Sequence, residues 1–168
     1  MKFESLAVAT LTLAAIAMNG EAAAQSLKDR LVGTWTHVIS EVVAADGTKA
    51  LPFGPRPQGV MMFTADGHFT QIHIAAEVPK IANNNRLQAT AEENAAIVRG
   101  SVAQFGTWTV DEEKQHLILE ITSSTFANWR GIKQTRLIVK LTDDEFVNSN
   151  PDVGAGRGAG TNWFKRGK

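Results

Sequence analysis

Gly33-Thr34-Trp35 is the segment that most restricts the fold open to this chain. It heads a β-branched run, residues 34–43, with the period-two alternation of a strand. Seven more strand-like segments follow, at residues 60–64, 68–74, 107–110, 116–121, 133–141, 145–148 and 161–166. Short turns such as Ala65-Asp66-Gly67 and Thr142-Asp143-Asp144 join several of them, so neighbours in sequence should pair antiparallel. Eight strands in such a meander can close into a barrel that holds one small ligand. The expected fold is therefore all-β, an eight-stranded antiparallel up-and-down barrel. One helix is inserted between strands three and four: Thr90-Ala91-Glu92-Glu93 has capping-box spacing, and residues 91–104 have helical composition. This helix is expected to be a plug or outer cover, and a lid if it reaches the open end. Pro52, Pro55 and Pro57 make residues 51–59 an extended loop.

Residues 1–24 read as a secretory signal peptide. Lys2 precedes an apolar stretch from Leu6 to Met18, and Ala22-Ala23-Ala24 supplies small residues before cleavage at Gln25. The apolar stretch is shorter than the roughly 20 residues a membrane-spanning helix needs. The expectation is one exported domain, 25–168, periplasmic or secreted, with no membrane insertion after cleavage. The full chain has zero formal net charge; losing Lys2, Glu4 and Glu21 leaves +1. That balance gives no footprint for nucleic acid. The chain contains no Cys, which excludes disulfides, thiol catalysis and cysteine metal sites. It also lacks Tyr, so Trp and Phe carry all the aromatic packing. No feature speaks to oligomeric state, and no cofactor fingerprint is present. The alternating glycines of residues 154–160 precede a strand and do not open a helix, unlike a dinucleotide-binding turn.

Several blocks recur in a telling order: Leu31-Val32-Gly33-Thr34-Trp35, Pro52-Phe53-Gly54-Pro55, and Phe63-Thr64-Ala65-Asp66-Gly67. Phe105-Gly106-Thr107-Trp108, Phe126-Ala127-Asn128-Trp129-Arg130-Gly131, Gln134-Thr135-Arg136 and Trp163-Phe164-Lys165-Arg166 complete the set. Together they resemble the lipocalin-like domain family, a divergent bacterial and fungal relative of the lipocalins. Trp108 stands where Tyr is common and Ala127 where Pro is common. The resemblance implies a barrel that binds small apolar molecules. It also implies that Trp35 closes the barrel floor beneath an Arg from a late strand, either Arg136 or Arg166. Arg166 is favoured, because the last strand must lie beside the first to close the barrel. Gly33, Trp35 and Arg166 are thus structural candidates.

Strand alternation supplies the candidates for ligand binding. If Trp35 points inward, His37 and Glu41 do too, provided no bulge intervenes. On the third strand Phe69, Gln71 and His73 share one face, opposite His68, Thr70, Ile72 and Ile74, and either face could be the inner one. Phe63 and Trp108 are further lining candidates. Phe126 and Trp129 lie on a loop that either caps a ligand or shields a barrel end. His37, His73 and His116 are too dispersed to read as a metal site.

The leading expectation is an exported carrier of a small, mostly apolar ligand. The alternative is an enzyme of the same fold, of isomerase, hydratase or hydrolase type, with His37, Glu41 or His73 as acid and base. A third reading is a solid barrel with an interaction role.

Overall fold

The computed structural model describes residues 25–151 and 158–167. The expected signal peptide and most of the glycine-rich connection lie outside the described residues. The chain forms α1 (Leu27–Leu31), β1 (Gly33–Ala44), β2 (Lys49–Ala50), β3 (Gln58–Phe63), β4 (His68–Ile74) and α2 (Ala91–Gly100). It continues through β5 (Ser101–Asp111), β6 (His116–Ser124), β7 (Lys133–Leu141), β8 (Glu145–Asn150) and β9 (Gly158–Arg166). Each long strand pairs antiparallel with the next, and β9 returns to β1 in a register from Trp35 opposite Arg166 to Ala44 opposite Gly158. Eight long strands therefore close a barrel.

The two-residue β2 pairs only with Val42 and Val43 at the end of β1. It adds a strand to the chain order, so the helix lies between β4 and β5, not between the third and fourth strands. The helix also ends at Gly100, earlier than expected, because Val102, Gln104 and Gly106 already follow the β alternation of β5. Its capping box forms as the sequence indicates: Thr90 Oγ1 accepts from Glu93 N at 3.1 Å, and the Glu93 carboxylate accepts from Thr90 N at 2.8 Å. None of its residues is buried, so it is not a plug inside the barrel, and it is not among the elements that line the cavity at the open end.

Gly-Thr-Trp-Thr occurs twice, and glycine is needed for a different reason in each copy. Gly33 sits at φ +122°, in the region L side chains avoid, and a Cβ there would lie 3.3 Å from Arg166 Nη1. Gly106 sits at a register shift between β5 and β6, where a Cβ would fall 1.9 Å from the Glu120 carbonyl oxygen.

The interior is divided along the barrel axis. Trp35, Phe63, Trp108, Leu119, Phe146 and Phe164 are all buried in one apolar cluster. The Arg166 guanidinium lies 4.1 Å from the Trp35 ring centroid and donates to the Arg30 and Val32 carbonyls, while Trp35 Nε1 donates to the Leu31 carbonyl at 2.8 Å. Arg166, not Arg136, covers the floor tryptophan. Helix α1 seals this end, with Leu31 fully buried. Its first amides, Leu27 N and Lys28 N, both donate to the Glu112 carboxylate at 3.0 Å, a favourable charge for a helix N-terminus. Toward the other end the inward residues turn polar: His73 on β4, Gln104 on β5, Asn150 on β8 and Asn162 on β9.

Candidate functional site

One local irregularity decides what β1 presents to the interior. Its pairing with β9 shifts register between His37 and Ile39. The bulge inserts an extra residue, so inward positions run Trp35, His37 and then Ser40. Glu41 consequently does not join His37 inside. Its carboxylate accepts from Lys49 Nζ at 3.1 Å at the barrel rim, with about a third of the side chain exposed. The inward facing of Glu41 held only for a strand without a bulge; the bulge is present, and it puts a serine hydroxyl in phase with His37 instead of a carboxylate.

On β4 the face bearing Phe69, Gln71 and His73 is the buried one, because its polar members find partners across the barrel. Gln104 Nε2 donates to Gln71 Oε1 at 2.7 Å. Gln71 Nε2 is hydrogen-bonded to His73 Nε2, and His73 Nδ1 meets His37 Nδ1 at 2.9 Å. His37 Nε2 meets Ser40 Oγ at 2.7 Å, Ser40 Oγ donates to Asn162 Oδ1 at 2.7 Å, and Asn162 Nδ2 donates to Asn148 Oδ1 at 3.2 Å. Ser40 spends its proton on Asn162, so it accepts from His37. This assigns the His37 proton to Nε2 and leaves Nδ1 to accept from His73. His73 Nε2 then accepts from Gln71. The six links form one directed chain in which both imidazoles are neutral.

Burial agrees with that assignment. Desolvation lowers the His37 pKa to about 4, opposed by a backbone hydrogen bond at Ile39. It holds His73 well below the usual imidazole range, aided by the repulsion a protonated His37 would exert and by the Arg136 charge. Phe53, from the proline-rich loop, stacks on His73 with centroids 5.0 Å apart and meets His37 edge-on at 6.0 Å. The loop thus lays an aromatic ring over the pair.

Above this network is a cavity of about 70 Å³, open toward solvent and lined by Phe53, Gln71, His73, Gln104, Trp129 and Arg136, with Val42, Val102 and Asn162 also in the wall and Glu41, paired with Lys49, bordering it. Such a volume holds about five waters or an organic group of similar size. Its accessible surface is mainly apolar. Gln71, His73 and Trp129 are expected lining residues that do reach it, and Glu41 borders it at the rim. Trp129 arrives on a 3-10 turn (Ala127–Trp129), with Phe126 edge-on to it at 5.3 Å and partly exposed. Phe63, Phe69 and Trp108 instead belong to the apolar core and do not line the cavity. His37 lies behind His73, in the network. His116 is remote from the pair, at the β6 end that pairs with Asp111 and Leu137. Among the described residues no cluster of His, Asp and Glu could hold a metal.

Ser40, Phe53, Gln104, Arg136 and Asn162 also belong to the site, although strand alternation alone does not single them out as ligand-facing. Arg136 is 1% exposed, and Nη2 donates to Gln134 Oε1 at 2.8 Å. Burial lowers its pKa to about 10, which leaves it protonated at neutral pH. The signal for it was the alternation Gln134-x-Arg136-x-Ile138 on β7, which puts a cation and an amide on the same face as a buried Ile.

No curated protein is significantly similar to the chain. Among solved structures it is similar to a redesigned β-barrel (12% identity, TM-score 0.44, 86% of this chain and 100% of that one). It is also similar to a deswapped triple mutant of bovine odorant binding protein (14% identity, TM-score 0.38, 82% of this chain and 74% of that one). A complex of bovine odorant binding protein with a selenium-containing odorant matches at 15% identity and TM-score 0.39, over 86% of this chain and 75% of that one. The profile of the lipocalin-like domain matches residues 32–163, from the approach to β1 to near the end of β9. With the closed meander and the capped floor, this match places the chain in the lipocalin-like domain family.

Proposed function

We propose that the protein is an exported small-molecule binding protein that holds a compact, largely apolar ligand in the open half of its barrel. The observation that carries this reading is the asymmetry of the interior: one end is sealed by α1, Trp35 and Arg166, and the other keeps a cavity walled by Phe53 and Trp129. Apolar walls with a few fixed polar groups are the usual make-up of a ligand site. The volume of about 70 Å³ favours a ligand of few atoms, and a longer one would have to displace the Phe53 loop. Export rests on the leader in residues 1–24.

Acid–base catalysis has less support. Glu41 is turned to the rim, and the chain of hydrogen bonds engages every ring nitrogen of His37 and His73. Their pKa values are depressed by desolvation, with no carboxylate beside them to make either imidazole a stronger base.

Titration with benzyl alcohol, followed by amide chemical shifts, tests the binding reading. Shifts are expected at Gln71, His73, Gln104 and Trp129, and not at Trp35, Phe63 or Trp108. Shifts that are absent at millimolar ligand, or spread evenly over the barrel, would reject it.

A further inference from the structure

The cavity contains a charge that nothing in the described protein balances. Arg136 Nε and Nη1, which carry three of the five guanidinium N–H donors, are buried without any acceptor. No Asp or Glu is buried among the described residues, and no carboxylate lies within ion-pair distance of Arg136. The imbalance extends to its neighbours. Gln134 Nε2 and Asn148 Nδ2 are also buried donors without acceptors, whereas Gln104 Oε1 is the one buried side-chain acceptor left open among the described residues. This end of the barrel therefore offers far more N–H groups than it has oxygens to receive them. Water could accept those hydrogen bonds, but it could not offset the charge, and an unpaired buried charge is among the costliest features a fold can carry.

We propose that the cavity takes a compact organic monoanion, with its carboxylate on Arg136 and its apolar body against Phe53 and Trp129. This rests on the binding reading above and specifies the chemistry of the ligand's head. A single charge fits better than a double one. Arg136 is the sole buried cation among the described residues, since both histidines stay neutral in their hydrogen-bond chain, so a dianion such as a phosphate monoester would keep one charge unbalanced. A carboxylate suits a guanidinium edge, because two oxygens can accept two parallel N–H bonds. The small volume limits the body to a ring or a short chain.

Benzoate and benzamide share a shape and differ in charge, so calorimetric titration of the purified protein with each at pH 7.5 separates the head-group assignment from binding itself. Benzoate is expected to bind about tenfold or more tightly than benzamide, the scale of a charge-assisted contact. In Arg136→Met, which keeps an unbranched side chain of similar length, the ratio should fall to about one with benzamide little changed. The unliganded variant should also melt at a higher temperature than the parent, because an unpaired buried charge has been removed. Equal affinity of benzoate and benzamide for the parent protein overturns the carboxylate assignment while leaving small-molecule binding in place, and it needs no variant to fold. Equal thermal protection by sulfate and benzoate at matched ionic strength overturns it too, since the site would then take any anion. Failure of benzoate, benzamide and benzyl alcohol to bind overturns both this assignment and the binding reading.

Discussion

Replacing Trp35 with Ala is expected to destabilise the protein by about 3–5 kcal/mol, the range for removing a large aromatic side chain from a packed interior. Trp35 is fully buried, and its loss would do more than open a void. The Leu31 carbonyl would lose its indole N–H donor, the Arg166 guanidinium would lose the ring beneath it, and Phe146 would lose an aromatic neighbour at 5.5 Å. The contacts with Arg166 and Phe146 join strands distant in sequence, and the one with Leu31 ties α1 to β1, so the floor should loosen as a unit, with α1 released from β9. Urea unfolding at neutral pH measures the effect. A loss below about 0.5 kcal/mol would show that the tryptophan is not the keystone of the closed end.

Acidification is the second large effect. An unfolded chain takes up protons at its histidines as the pH falls through 6.5, whereas folded His37 resists protonation until about pH 4. The unfolded state therefore binds more protons across that window, and stability falls as the pH is lowered. Stability should be full above pH 6.5 and reduced by about 3 kcal/mol near pH 4 from His37 alone, with His73 adding to the loss in the same direction. Asp46, Asp66, Glu93, Asp111 and Glu145 have pKa values lowered chiefly by hydrogen bonds, so their own losses begin only as the pH falls below the ordinary carboxylate range, under most of the histidine window. Unfolding free energies measured from pH 7.5 to 4.5 should show this slope. A flat profile would mean that the imidazoles are open to solvent and that the Phe53 cover does not hold.

The sealed half of the molecule was legible in the sequence. Gly33-Thr34-Trp35 announced a tryptophan at the start of a closing strand, and the position of Arg166 on the last strand followed from the need to close the barrel. The open half was much less so. Alternation tells which residues share a face, and it identifies the inner face only when that face is apolar. On β4 the inner face carries Gln71 and His73 while Ile72 and Ile74 point outward, so the pattern alone could not choose. On β7 and β8 the same ambiguity concealed Arg136, Asn148 and Asn150. Glu41 borders the cavity at the rim but does not share the inward facing of His37, for another reason. One extra residue after His37 reverses the facing of everything beyond it, and nothing in Thr-His-Val-Ile-Ser-Glu marks where a bulge will fall. Phe53 sat in a recognisable Pro-Phe-Gly-Pro loop, but its stacking on His73 joins residues from separate segments, which local pattern does not reveal.

Native mass spectrometry of the protein purified from its own host, with a denatured sample beside it, decides whether the open half of the barrel carries a ligand. A discrete extra mass of a small organic molecule is expected on the native protein and is absent after denaturation. A native protein whose mass equals that of the bare chain, and which stays so after incubation with benzyl alcohol or benzoate, would contradict ligand binding and leave a barrel whose interior serves only to hold itself together.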